Sequence, residues 1–180
     1  MRELKSVPLN LPRYTQKPFP PYRYLPRTNP HPIRDPEGHS YGRDEVLLNQ
    51  SDLKDWRQNR SYLFGVDLFN HGYYWEAHEA WETIWKGLDP VSSEAIFIQG
   101  LIQLAAACLK YTMKSKEGVL KLSQNAREKL KKVIQDEGIL FCGINLNQLD
   151  SQVSFVIERV MKEPSKGFPS FTPPTITLTI

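Results

Sequence analysis

No stretch of this 180-residue chain approaches the about 18 consecutive apolar residues that cross a bilayer. Its first residues, Met1-Arg-Glu-Leu-Lys5, lack the apolar segment of a secretory signal. Together these absences predict a soluble, cytoplasmic protein with no membrane partner. Cysteine is scarce: Cys108 and Cys142 stand far apart in apolar surroundings. That excludes a disulfide-stapled fold and suits buried thiols in a reducing compartment. Charge of one sign is scarce too. Residues 1–60 carry 11 Lys/Arg against 7 Asp/Glu and the remainder 12 against 13, for a formal net charge of +3. An excess that small makes nucleic acid a poor candidate partner. The basic residues of 114–132 are diluted by Glu117 and Glu128 and read as a solvated helix face. No Ser or Cys stands in a nucleophile motif, so hydrolysis would require an activated water.

Proline, by contrast, is abundant early, at 8, 12, 18, 20, 21, 26, 30, 32 and 36. No helix runs through such a segment. The aromatics between the prolines (Tyr14, Phe19, Tyr22, Tyr24) are more than a disordered linker carries. Residues 1–50 are therefore expected to form an irregular arm packed on the domain. Within it, Asp35-Pro36 and Glu37-Gly38 are turn chemistry that holds His31, Arg34, Asp35 and His39 in one loop.

From there the periodicity is helical. Ser51 is a candidate cap for a helix to about His71, stopped by Gly72. A second helix covers about Tyr73–Lys86. Asp89-Pro90 suits the start of a third, about Val91–Met113, which is apolar nearly all round and therefore central. Val119, Leu122, Ala126, Leu130 and Val133 mark an amphipathic helix over Lys116–Glu137. Asn145 with Gln148 matches a capping box, and Ile144 with Leu149 its apolar staple, for a last helix to about Met161. The tail alternates with a β period from Pro173 to Ile180. The expectation is an all-α protein: five helices in an antiparallel up-and-down bundle over 51–163, with the arm before it and an extended tail, 164–180, after it.

The second helix is the most information-dense. At about 100° per residue, Tyr74, Trp75, Trp81, Glu82 and Trp85 all fall within roughly 60° of His78. A helix that turns His78 and Glu82 into its own aromatic stripe buries polar atoms, which is costly unless they are paired. Gln99 and Gln103 lie one turn apart on the third helix and are candidate partners or small-ligand donors.

The blocks Leu68-Phe-Asn-His-Gly-Tyr-Tyr-Trp-Glu-Ala-His-Glu-Ala-Trp-Glu-Thr-Ile-Trp85 and Phe97-Ile-Gln-Gly-Leu-Ile-Gln-Leu-Ala-Ala106 resemble, in order and spacing, those of the helical family known as domain of unknown function 309. The resemblance covers about residues 58–135. Asn29–Ser40 also resembles an N-terminal block of longer members. The resemblance implies a compact all-α fold and no established activity. By motif match, its characteristic polar positions are Asn70, Glu76, His78, Glu79, Glu82, Gln99 and Gln103. The chain departs from the family pattern at Lys114–Val119, where members often carry a Gly-Asn turn.

Two functional readings follow. In the first, the domain binds a small ligand or divalent metal, with hydrolytic chemistry as an extension. His78 and Glu82, at i and i+4, can reach one ion, with His31 and His39 of the arm completing the set. His78, Glu82 and Glu79 are then the candidate catalytic groups, with Gln99, Gln103, Asn70, Glu76 and Arg34 as ligand-binding positions. The zinc-protease motif is excluded because Glu82 stands where its second His belongs, and the di-iron Glu-x-x-His pair because Trp75 precedes His78 by three. In the second reading the cluster is structural and only fixes helix packing in a non-catalytic interaction module. Its partners would be a protein or a second copy of the chain. The readings differ at His78: a functional site opens to solvent there, whereas a structural cluster is sealed by the arm.

Overall fold

A computed structural model describes residues 11–42, 53–163 and 167–179. Five helices follow in order: α1 Arg60–Asn70, α2 Tyr74–Trp85, α3 Ser93–Thr112, α4 Lys116–Glu137 and α5 Leu146–Lys162. Each packs on the next, as short connections dictate in an up-and-down bundle. The all-α assignment holds. A two-residue hairpin, β1 Leu140–Phe141 with β2 Ile144–Asn145, precedes α5.

The first helix is shorter than the sequence suggested. Ser51, its expected cap, lies outside the described residues. Residues 54–58 form turns, and Asn59 takes the capping role by accepting from the Tyr62 amide at 2.9 Å. Gly72, at φ +80°, ends α1 as expected. The third helix also starts later: Ser92 caps it through the Ala95 amide, while Asp89 organises the turn ahead by accepting from the Val91 amide. At the departure from the family pattern, Lys114 adopts φ +56° and Ser115 caps α4. Asn145 accepts from the Gln148 amide at 3.0 Å, and Ile144 and Leu149 are both buried.

By length and mean hydropathy α3 is apolar enough to cross a membrane, but half of that stretch is buried inside the protein. It is the core helix of the bundle. Phe97, Ile98, Leu101 and Ala105 are completely enclosed, as are Trp81 of α2 and Tyr62 of α1. The α1–α2 crossing is close at Gly65, where a Cβ would stand 2.2 Å from the Trp81 indole nitrogen.

Both flanking segments are tied to this bundle through side chains of α1 and α2. Asp67, fully buried on α1, accepts from the amides of Tyr14 and Thr15 (2.8 and 2.9 Å) and from the Thr15 hydroxyl (2.6 Å). Glu76 of α2 accepts from the Tyr24 amide at 2.8 Å. Phe19 stacks on Tyr73 and contacts His71, while Tyr24 and His31 pack on Trp75. At the other end, Asn70 grips the tail with both amide atoms: its Nδ2 donates to the Ile176 carbonyl (2.7 Å) and its Oδ1 accepts from the Ile176 amide (2.8 Å). Ile176 and Leu178 are buried, and Leu178 bridges to Ile144. The extended tail is thus a strap laid over the hairpin.

Candidate metal centre on the second helix

The buried side of α2 is not centred on His78. Tyr74, Ala77, Trp81 and Ile84 face the core, which puts its centre about 80° round the helix from His78. Trp75 and Trp85 are only partly buried, because bulky rings cover the margin of a helix interface as well as its middle. The expectation of a buried His78/Glu82 cluster is therefore corrected: these side chains sit at the rim. His78 is 30% exposed and Glu79 26%, and Glu82 is 32% exposed.

At that rim His78, Glu79 and Glu82 converge. Each offers one ligand atom, and the three atoms lie within 4.8 Å of one another. His78 Nδ1 is 3.3 Å from Glu79 Oε1. The contact lacks hydrogen-bond geometry, so among the described residues Nδ1, shielded from solvent, has no hydrogen-bond partner. Among the described residues Glu82 is held only by Lys86, at 3.5 Å on an exposed side chain, a weak restraint. Two carboxylates and an imidazole held close with this little bonding make a donor set that a first-row cation satisfies.

Among the described residues, neither His78 nor Glu82 hydrogen-bonds to α3. Gln99 and Gln103 are half-buried there, and the Gln103 carbonyl oxygen is shielded without a partner. The arm histidines belong to other contacts. His31 Nδ1 accepts from the amides of Ile33 and Arg34 at 3.3 Å. His39 Nε2 lies 3.2 Å from Glu76 Oε1. Neither belongs to the metal-capable group that the described residues form. Arg34 is exposed, and Asp35 accepts from the Glu37 amide. Asn70 and Glu76, expected among the ligand-binding positions, are buried clamps on the tail and the arm.

Burial pushes the Glu76 carboxyl above the ordinary carboxylate range, and the bonds from Tyr24 and His39 only partly offset it. Among the described residues its second oxygen, which is buried, has no hydrogen-bond partner. Burial likewise raises the Cys142 thiol to about 12, and the Cys108 thiol further still.

Two important groups escaped the sequence reading. Asp67 carries a signal that was there to use, a lone acid inside the apolar run Val66-Asp-Leu-Phe69. Ser40 carries none; its significance lies in its contact with His39, 2.9 Å from hydroxyl oxygen to Nδ1.

Residues 62–122 match the sequence model of a family described as Domain of unknown function, DUF309. None of the curated proteins compared with the chain matches it.

Proposed function

Given a chain whose residues 62–122 belong to DUF309, we propose that the domain binds a divalent first-row cation, zinc foremost, through His78, Glu79 and Glu82. The observation that carries this is the convergence of three ligand atoms within 4.8 Å on partly exposed side chains. Zinc–nitrogen and zinc–oxygen bonds of about 2.0–2.2 Å hold tetrahedral donors roughly 3.4 Å apart. Small rotamer changes on one helix turn close the remaining gap.

Three protein donors leave a position for water or a substrate oxygen, the arrangement of catalytic rather than structural zinc sites. A metal held there would supply an activated water, which agrees with the lack of a nucleophile motif and makes hydrolysis the reaction class to screen. The half-buried Gln103 of α3, whose carbonyl oxygen is unpartnered among the described residues, is a candidate for orienting a small polar ligand. We place this activity in the cytoplasm, where Cys108 and Cys142 stay reduced.

The competing structural reading has His78 hydrogen-bonded to Glu82, Gln99 or Gln103, and no such bond supports it among the described residues. The test is metal content and zinc titration of protein purified without chelator or affinity metal, beside His78→Ala and Glu82→Ala. Near-stoichiometric metal lost in both variants supports the site, and metal-free protein that takes up no zinc removes it.

A further inference from the structure

The loop Asn29–Ser40 lies apart from the α2 triad and holds an arrangement of its own. His39 Nε2 is 3.2 Å from Glu76 Oε1, and each side chain is only 5% exposed. His39 Nδ1 is 2.9 Å from Ser40 Oγ. In the tautomer that donates its Nε2–H to Glu76 Oε1, the Nδ1 lone pair of His39 faces the Ser40 hydroxyl. Nucleophile, base and orienting carboxylate are thereby in line, with the two ring nitrogens in reversed roles relative to the usual triad.

The scaffold is tightly held. The Tyr22 hydroxyl accepts from the His39 amide and donates to the Pro30 carbonyl, and its ring lies 4.8 Å from the imidazole. The Ser40 amide donates to the Pro32 carbonyl. A Cβ at Gly38 would stand 2.3 Å from the His31 carbonyl oxygen, so only glycine allows this closure. Tyr41 is exposed, and among the described residues nothing lies within 4 Å of a Cβ built at Gly42.

We propose that Ser40 is an acyl-accepting nucleophile, with His39 as its base and Glu76 as a positioning residue, and that it takes small carboxylic esters. Ser40 Oγ attacks the ester carbonyl carbon while its proton passes to His39 Nδ1. The bond to the alcohol breaks, and the alcohol leaves with that proton. Water then attacks the acyl-Ser40 carbonyl, gives its proton to Nδ1, and the serine recovers it as the acid departs. The amides of Ser40 and Tyr41 already bond to Pro32 and Gly38, so neither is free to hold an oxyanion. A missing donor of that kind costs about 10²–10³ in rate. The expected behaviour is therefore a slow, isolable acylation. Glu76 lies about 160° round α2 from His78, so this site and the metal site stand or fall separately.

The test uses the full chain, p-nitrophenyl acetate, and peptide mapping by mass spectrometry. The expected result is acetyl on Ser40, absent in Ser40→Ala and forming at least about tenfold more slowly in His39→Gln. Glu76→Gln slows it as well, while the arm keeps its resistance to trypsin, which a merely structural role for Glu76 would not produce. An unmodified Ser40, or equal rates in wild type and His39→Gln, overturns the proposal. Should His39→Gln release the arm, Ser40→Cys decides: a thiol beside His39 reacts with iodoacetamide at least about tenfold faster in folded than in urea-unfolded protein, and equal rates overturn the proposal.

Discussion

Replacing Asn70 by Ala removes the grip on the C-terminal strap and no part of the candidate metal site. The change deletes one donor and one acceptor, and leaves the Ile176 amide and carbonyl without partners in a buried position. Each orphaned backbone group costs about 1–3 kcal/mol. The strap has an alternative to bearing both penalties, since it can peel off. That forfeits the burial of Ile176 and Leu178, about 1.5–3 kcal/mol for each side chain. The smaller total prevails, so the expected loss is about 2–6 kcal/mol, a large share of the roughly 5–15 kcal/mol of a typical domain. Urea unfolding followed by tryptophan fluorescence should show it, with a drop in Tm of roughly 2–4 °C per kcal/mol. Carboxypeptidase should also trim the variant faster than wild type. A loss below about 1 kcal/mol with unchanged trimming would refute the reasoning, and the tail would then be incidental to stability.

The buried carboxyl of Glu76 has a raised folded-state pKa, so its contribution to stability is fully present below the unfolded carboxylate value and is lost as pH rises through the folded one. Glu76→Gln should therefore compare better with wild type at pH 8 than at pH 5 in urea unfolding; parallel pH curves would contradict this. Cys108 and Cys142 are buried with strongly raised pKa values, so native protein should react with a thiol probe only as fast as it opens, against rapid labelling of both in urea. Gly143 sits at φ +77°, and a Cβ there would come within 2.5 Å of the Trp56 ring. Gly143→Ala should cost about 2 kcal/mol or more by thermal unfolding, and a neutral result would show that the hairpin and Trp56 move apart easily.

What the sequence revealed was local. The limits of α4, the Asn145 cap and the stop at Gly72 follow from chemistry within a few residues, and they agree with the structure. The orientation of α2 did not follow. Its aromatic stripe points to His78 as the buried centre, but the core takes Ala77 and Trp81 because Gly65 of α1 admits the Trp81 ring. The opposite side of α2 is covered by an arm more than 30 residues away in sequence, so Glu76 is buried where a wheel diagram leaves it exposed. The convergence of Glu79 with His78 and Glu82 depends on rim rotamers, and that of Ser40, His39 and Glu76 on the path of the arm. Neither is encoded in spacing along one helix.

The central claim is a cation held by His78, Glu79 and Glu82, and calorimetric titration of chelator-stripped protein with zinc tests it most directly. One equivalent should bind to wild type and none measurably to His78→Ala or Glu82→Ala, both variants melting within about 1 kcal/mol of wild type because rim residues contribute little to packing. Absence of zinc binding, or binding that survives both substitutions, would contradict the account.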